Sequence, residues 1–228
     1  MITVKGQSFS SVLFDLDGTL LDTLEDIADS ANAALRELGI PPHPTDAYRY
    51  MVGDGVEALI RRMLPKGRAD DDATVAHCGK LYRSHYGRNW NNKTRLYDGI
   101  GEMLDGLSRR GIALAILSNK PQEFTVQCVG AYLSRWKFAA VIGQREGIPR
   151  KPDPAGAAEI SHLMKRPSSE FVYLGDTATD MKTAVAAGMF PVGVLWGFRQ
   201  RDELEQHGAK IVIEHPSELF DVTGADVL

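Results

Sequence analysis

Two aspartates stand at the end of an apolar run near the start of the chain, "SVLF". Asp15 follows the run directly, Asp17 comes two positions later, and Gly18 and Thr19 complete the stretch. Because positions i and i+2 of a strand face the same side, two ionised carboxylates there repel each other unless a cation lies between them or the chain turns away. The pair therefore indicates a chemical site at this strand end.

Polar clusters follow three further apolar runs. Ser118 and Asn119 follow "ALAIL", Lys151 in "RKPDP" comes shortly after "AAVIG", and "FVYLG" leads into "GDTATD" with Asp176 and Asp180. Ser, Asn and Asp are also common as helix N-caps and turn residues, so each cluster alone has a purely structural explanation. Ligands of open α/β sheets bind beyond the carboxyl ends of the strands, and four such clusters together favour a shared site there.

The elements that must position these residues are six short apolar runs with helical patterns between them. Besides the four runs above, "PVGVLW" and "KIVIEH" occur in the last third of the chain, and "PAGAAEISHLM" and "TDMKTAVAAG" read as alanine-rich helices. This alternation is typical of a parallel sheet with crossover helices. We therefore predict an α/β fold with a Rossmann-like, doubly wound parallel sheet.

The stretch between Asp15 and Ala113 is much longer than one crossover helix requires. Thr23 and Asp26 have the spacing of a capping box, the apolar residues after them repeat with a helical period, and further helices are predicted at 45–51, 56–64 and 73–86. We predict that residues 23–96 form a small all-helical cap domain inserted after the first strand, while residues 1–22 and 97–228 form the Rossmann-like catalytic core.

Composition narrows the function classes. The net charge of −4 lacks the basic excess typical of nucleic-acid binding proteins, and no apolar segment approaches the about 20 residues needed to span a bilayer. Cys78 and Cys128 have no metal-binding or redox spacing. We expect a cytoplasmic protein, monomeric or homodimeric, that binds neither nucleic acid nor membrane; a small anion is a possible ligand.

The motifs "FDLDGT", "LSN", "RKPDP" and "GDTATD" resemble those of the haloacid dehalogenase superfamily of phosphohydrolases, and the resemblance runs over nearly the whole chain. The segments "VGDGVEAL", "KPDP" and "WGFRQRDEL" make the chain most similar to bacterial phosphoglycolate phosphatases within it. The resemblance implies a Mg²⁺ cofactor and hydrolysis of a small phosphate monoester through an aspartyl-phosphate, with 2-phosphoglycolate as the expected substrate.

The resemblance also implies a role for each core residue. Mg²⁺ would lie between the Asp15 carboxylate, the Asp17 backbone carbonyl and Asp176. Asp15 would attack phosphorus, and Asp17 would act as general acid and base. The supporting residues would be Ser118 and Asn119 as hydrogen-bond donors to phosphoryl oxygens, Lys151 as a fixed positive charge, and Asp180 as an orienting group behind the metal.

The loop "RYMVGDGVEAL" in the predicted cap is a candidate for substrate specificity. Backbone amides near Gly53 and Gly55 and the side chain of Arg49 suit a carboxylate such as that of glycolate, whereas Asp54 opposes this unless it points away. Trp196 and Phe198 are predicted to be packing residues.

Three alternatives stay open at this level. The chain could hydrolyse a sugar phosphate or pyrophosphate, act as a sugar phosphomutase similar to β-phosphoglucomutase, or bind phosphate without turnover.

Overall fold

The computed structural model describes residues 2–4 and 6–222. The chain divides into two compact units, which we name the core unit (Met1–Leu21 and Leu96–Leu228) and the inserted unit (Asp22–Arg95). The described residues form ten strands: β1 (Ile2–Val4), β2 (Gln7–Phe9), β3 (Ser11–Phe14), β4 (Leu21–Asp22), β5 (Arg95–Leu96), β6 (Ala113–Pro121), β7 (Phe138–Gln144), β8 (Phe171–Gly175), β9 (Phe190–Val194) and β10 (Ile211–Ile213).

Helices separate the successive strands of the chain from β4 onward. They are α1 (Leu24–Glu37), α2 (Val56–Met63), α3 (Asp72–Asn89), α4 (Ile100–Arg109), α5 (Gln122–Tyr132), α6 (Ala155–Met164), α7 (Ala178–Ala186), α8 (Arg201–Gln206) and α9 (Glu218–Val222), with 3₁₀ helices at Thr45–Tyr50 and Ser168–Glu170. No helix in the described part of the chain is long and apolar enough to cross a membrane.

The core unit is built on a six-stranded sheet in the order β10-β9-β8-β3-β6-β7. All its neighbouring strands pair in parallel. Val12, Leu13 and Phe14 of β3 are fully buried, so both faces of the central strand are covered, as a parallel sheet requires. This architecture confirms the predicted α/β fold with a parallel, Rossmann-like sheet.

The register brings three of the predicted polar clusters together. Phe14, the last residue of β3, pairs with Ile116 of β6 on one side and with Leu174 of β8 on the other. The residues after Phe14, Ile116 and Leu174 therefore meet at one edge of the sheet. On one face of the sheet, Ala157 and Ile160 of α6 and Ala184 of α7 pack into the same apolar cluster as the strands.

The inserted unit is helical apart from its two ends, and a buried carboxamide holds the chain after its first helix. The Asn32 carboxamide of α1 accepts hydrogen bonds from His43 N (2.9 Å) and Tyr48 Oη (2.7 Å), which fixes the segment that leads to the 3₁₀ helix. The helices predicted at 56–64 and 73–86 correspond to α2 and α3. The segment predicted as a helix at 45–51 is instead a 3₁₀ helix that follows Pro44.

The predicted capping box of Thr23 and Asp26 is wrong. Thr23 precedes α1, but its side chain makes no capping hydrogen bond. The Asp26 carboxylate instead accepts hydrogen bonds from Lys93 N (3.0 Å), Thr94 N (2.8 Å) and Thr94 Oγ1 (2.8 Å). A distant segment supplies better donors than the local backbone does, so Asp26 joins the beginning of the inserted unit to its end.

The chain passes between the units within two paired short strands, β4 and β5. On the inserted side, Arg95 Nη2 lies 2.6 Å from Asp22 Oδ2. On the core side, Tyr97 N donates a hydrogen bond to Leu20 O (3.3 Å). The two ends of the insertion are therefore neighbours in space.

Candidate active site

Asp15 lies directly after β3, where its backbone N–H donates to Leu174 O of β8 (3.0 Å). Its side chain is nearly buried, and its two oxygens have different surroundings. Oδ1 accepts a hydrogen bond from Leu16 N (2.7 Å) and lies 2.9 Å from Lys151 Nζ. Among the described residues we find no donor to Oδ2. One oxygen is thus anchored while the other can react.

Asp15, Asp176 and Asp180 form a buried carboxylate cluster in which one oxygen of each lies within 4.8 Å of the others. Burial, reinforced by the charge of Asp180, raises the pKa of Asp15 to about 7, although Lys151 opposes the shift. Burial and the charges of Asp180 and Asp15 also raise the pKa of Asp176 well above its usual range. Three carboxylates this close resist ionisation without a further cation, and their hard oxygen donors suit a divalent one such as Mg²⁺.

Lys151 supplies positive charge at the back of this cluster, with a side chain that is only 3% exposed. Its ammonium group contacts Asp15 Oδ1 (2.9 Å), Asp180 Oδ1 (2.7 Å) and Leu117 O (3.1 Å), so all three of its protons are directed at acceptors. Burial alone would lower the pKa of Lys151, but the neighbouring carboxylates raise it well above its usual range. Lys151 is therefore a permanent cation next to Asp15.

Asp180 holds neighbouring groups in place. Thr177 N and Thr177 Oγ1 donate to its Oδ2 (3.1 and 2.7 Å) in a capping box at the start of α7. Asp180 Oδ1 accepts hydrogen bonds from Lys151 Nζ and from Tyr173 Oη (3.3 Å). With both oxygens engaged in this way, Asp180 fixes Lys151 and the beginning of α7 relative to Asp15.

Asp176 is anchored by the loop after β9, which brings Trp196, Gly197 and Phe198 to the site. Phe198 N donates to Asp176 Oδ2 (2.8 Å), and Thr19 Oγ1 donates to Oδ1 (3.2 Å). The Trp196 indole N–H donates to Thr19 O (2.9 Å). Phe198 is buried, as expected for a packing residue, but its backbone N–H also positions a carboxylate, a role that was not predicted.

Asp17 is paired with a residue that sequence reasoning missed, Lys120. The Lys120 ammonium lies 3.0 Å from both carboxylate oxygens of Asp17. The chain turns at this point, because Gly18 has a φ of +84° and its N–H donates to Leu21 O (2.9 Å). Leu21 N donates in turn to Leu16 O (3.0 Å). Neither of these two hydrogen bonds uses the Asp17 carbonyl oxygen. The available signal for Lys120 was a positive charge directly after the predicted polar cluster in "LSN".

Ser118 and Asn119 lie within β6. The Ser118 hydroxyl accepts a hydrogen bond from Lys120 N (3.2 Å), and its own proton is directed at no described acceptor. The Asn119 carboxamide forms a pair with the Lys151 backbone, accepting from its N–H (2.9 Å) and donating to its carbonyl (3.0 Å). Asn119 thus ties β6 to the loop that carries Lys151. Its predicted contact with a phosphoryl oxygen stays a prediction.

The structure brings seven of the predicted site residues into the core unit: Asp15, Asp17, Ser118, Asn119, Lys151, Asp176 and Asp180. The predicted cap residues Arg49, Gly53 and Gly55 belong to the inserted unit.

Within the inserted unit, Arg49 is part-exposed and lies 3.5 Å from Asp46, and both glycines have positive φ. Asp54 forms an ion pair with Arg62, whose guanidinium also donates to Met51 O. The negative charge of Asp54 is therefore compensated within its own loop.

A family model, curated relatives and a solved structure all resemble this chain and indicate one family. The model for haloacid dehalogenase-like hydrolases matches residues 12–194, a range that contains all seven core residues. The curated phosphoglycolate phosphatase of Pseudomonas putida is 34% identical over 217 residues, covering 92% of this chain and 75% of that protein. That of Haemophilus influenzae is 28% identical over 219 residues, covering 94% and 98%. The crystal structure of a candidate phosphoglycolate phosphatase from Lactobacillus delbrueckii subsp. bulgaricus has a TM-score of 0.88 at 26% identity, covering 96% of this chain and 100% of that one.

Proposed function

Because the chain belongs to the haloacid dehalogenase-like hydrolase family, we propose that it is a Mg²⁺-dependent phosphatase that hydrolyses 2-phosphoglycolate to glycolate and phosphate through an aspartyl-phosphate on Asp15. The observation that carries the proposal is the asymmetry of the Asp15 carboxylate. Oδ1 is held by Leu16 N and Lys151, while Oδ2 has no described donor and can attack. The curated phosphoglycolate phosphatases among its relatives support the substrate.

In the first step Asp15 Oδ2 forms a bond to phosphorus, and the bond between phosphorus and the ester oxygen breaks. Asp17, in its protonated form, gives its proton to the departing glycolate oxygen. Ser118 donates its free hydroxyl proton to a phosphoryl oxygen, and Lys151 balances the charge of Asp15 and the transferred group. Asp180 keeps Lys151 in place through the 2.7 Å contact.

In the second step a water molecule attacks phosphorus of the aspartyl-phosphate. Asp17, now ionised, takes a proton from that water, and the bond between phosphorus and Asp15 Oδ2 breaks to release phosphate. Both carboxylates return to their starting states. One acid–base residue can serve both steps because the first leaves it deprotonated.

The buried carboxylates fit Mg²⁺ by the chemistry of their donors. Asp15, Asp176 and the Asp17 backbone carbonyl would hold the ion, and the burial and mutual repulsion that raise the pKa values of Asp15 and Asp176 favour a cation between these carboxylates. When bound, Mg²⁺ supplies positive charge that offsets repulsion among these carboxylates and the substrate phosphate.

Gly197→Ala tests how the loop after β9 supports this metal site. A Cβ at position 197 would lie 2.3 Å from Gly18 O and 2.4 Å from Asp176 Cβ, so the loop or the carboxylate must move. We expect Mg²⁺ affinity, measured by calorimetric titration, to fall by about 10- to 100-fold, the usual cost of disturbing the groups that hold a ligand.

The control for this variant is Gly130→Ala on α5, where an added Cβ meets no atom within 4 Å. It should keep the wild-type affinity. Equal affinities in the wild type and both variants would show that the loop does not position Asp176.

Asp17→Asn separates the acid–base role from that of the nucleophile. We expect hydrolysis of alkyl phosphates to slow by about 10²- to 10⁴-fold, because an amide cannot protonate a poor leaving group. The first step with p-nitrophenyl phosphate should slow less, since its leaving group is stable as an anion. Single-turnover phosphorylation rates measure this step alone, and equal losses for both substrates would assign Asp17 a purely structural role.

We propose Arg49 and the loop around Gly53 and Gly55 as the residues that select a substrate carboxylate. Arg49 and the backbone amides near Gly53 and Gly55 suit a carboxylate, and the ion pair between Asp54 and Arg62 removes the opposing charge. We expect Arg49→Ala to raise KM for 2-phosphoglycolate by about 10-fold or more, the loss of a charge-assisted hydrogen bond, and to change KM for p-nitrophenyl phosphate less. Arg88→Ala, on α3, is the control.

A panel of phosphate esters tests the substrate itself. We expect kcat/KM to be higher for 2-phosphoglycolate than for glucose 1-phosphate, glucose 6-phosphate or pyrophosphate, with phosphate released and no isomerised sugar phosphate formed. A tenfold preference for a hexose phosphate or pyrophosphate would reject the substrate and keep the phosphatase mechanism. Isomerisation without phosphate release would indicate a mutase.

A further inference from the structure

Lys120 is the one buried lysine in the site that the mechanism above does not use. Its side chain is 4% exposed, and its ammonium group is equidistant, at 3.0 Å, from the two oxygens of Asp17. The side chain of Asp17 is 19% exposed, so the pair lies at the edge of the buried cluster and Asp17 is partly accessible to solvent.

The backbone of Lys120 is fixed on both sides. Its N–H donates to Ser118 Oγ (3.2 Å), and its carbonyl accepts a hydrogen bond from Thr125 Oγ1 (3.1 Å). Gly143 of β7 approaches so closely that a Cβ there would lie 2.7 Å from Lys120 O. The ammonium group therefore extends from a rigid point of β6 toward Asp17.

Stability alone does not explain a lysine here. A buried ion pair contributes little net stability compared with apolar side chains of similar volume, because both charges lose their hydration. A methionine would fill nearly the same space. What the lysine adds is a fixed direction for the two oxygens of Asp17.

The two lysines of the site also serve different carboxylates. Lys151 contacts Asp15 and Asp180, and the Lys120 ammonium contacts Asp17. Each aspartate that reacts in the proposed mechanism thus has its own ammonium group.

We propose that Lys120 is a positioning residue that orients the Asp17 carboxylate for proton transfer to and from the leaving group and the attacking water. The inference rests on the proposed function, since it needs Asp17 to be the general acid and base. Lys120 acts through Asp17 and makes no bond to the reacting atoms.

Lys120→Met removes the ammonium group and keeps the length of the side chain. We expect kcat for 2-phosphoglycolate to fall by about 10- to 100-fold, the range found when a group that orients a reacting side chain is lost. The single-turnover phosphorylation rate with p-nitrophenyl phosphate should fall by less than about 3-fold, as leaving-group protonation matters less there. Lys120→Arg should recover part of the lost kcat, because its guanidinium can still bind both oxygens. Lys182→Met, an exposed position on α7, is the matched control.

The double variant Asp17→Asn/Lys120→Met decides whether Lys120 acts through Asp17. It should be no slower than Asp17→Asn alone, since an orienting group has no effect once its partner is gone. Thermal midpoints and Mg²⁺ affinities of all variants are measured alongside, so that a loss of fold or of metal is recognised; if Lys120→Met does not fold, Lys120→Gln takes its place.

Two results would overturn the inference alone, provided that the wild type is active. The first is that Lys120→Met slows the alkyl and aryl substrates equally. The second is that the loss of kcat in the double variant equals the product of the losses in the two single variants. A wild type that releases phosphate from no ester would overturn the proposed function, and this inference with it. If Asp17→Asn slows alkyl phosphates more than aryl phosphates and Lys120→Met does not, the inference about Lys120 fails and the proposed function stands.

Discussion

The Asp15→Asn variant is expected to lose turnover by about 10⁵-fold or more, the scale of loss when a catalytic nucleophile is removed. The amide has nearly the shape of the carboxylate, but it cannot form an acyl phosphate. The fold should persist, because Lys151 keeps Asp180 as a partner and the repulsion within the carboxylate cluster decreases. Steady-state phosphate release and the thermal midpoint measure the two effects.

Acid-quenched mass spectrometry makes this prediction specific to the nucleophile. The wild-type peptide that contains Asp15 should carry a phosphate group during turnover, and the variant peptide should not. Asp70→Asn, at an exposed position of the inserted unit, is the control and should behave as the wild type does. A folded Asp15→Asn variant with comparable activity would show that another group attacks phosphorus.

Removal of the metal with EDTA should reduce the rate by about 10³-fold or more, because a bound cation contributes several kcal/mol of charge stabilisation in the transition state. Addition of Mg²⁺ should restore it. Asp176→Asn should stay inactive at the Mg²⁺ concentrations that saturate the wild type. The exposed Asp202→Asn should respond as the wild type does.

Protein stability gives a second test of the same site. The pKa of Asp15 is about 7 in the metal-free fold against 3.8 ordinarily, so the folded chain keeps a proton that the unfolded chain releases across this range. The free energy of unfolding of the metal-free protein therefore falls as pH rises from about 4 to about 7. Saturating Mg²⁺ should raise the thermal midpoint more near pH 8 than near pH 5.5. Equal shifts at both pH values, or unchanged turnover in EDTA, would contradict the metal site.

The sheet was predictable because each of its six strands is an apolar run, and polar clusters follow four of these runs, such as Asp15 and Asp17 after "SVLF" and Asp176 after "FVYLG". Parallel strands that are buried on both faces appear in the amino-acid sequence as nearly continuous apolar runs. The positions of the polar clusters after these runs also predicted that their side chains share one edge of the sheet.

What the sequence did not reveal depends on contacts between distant segments. Lys120 looked like an ordinary residue after "LSN" until the fold placed its ammonium group 3.0 Å from Asp17. The N–H of Phe198 is a backbone group, so no residue type marks it as the donor to Asp176. Asp26 matched a local capping pattern, yet it binds the backbone of residues 93 and 94, because tertiary partners can replace local ones.

The first and last residues of the insertion are close in space, because β4 pairs with β5 and Tyr97 N donates a hydrogen bond to Leu20 O. The entropy of closing a loop between two fixed neighbouring points grows only slowly with the number of residues in the loop. The core unit is therefore nearly indifferent to the size of the segment it carries at this position. The length of that segment can therefore differ while Asp15, Lys151 and Asp176 keep their places at the edge of the sheet.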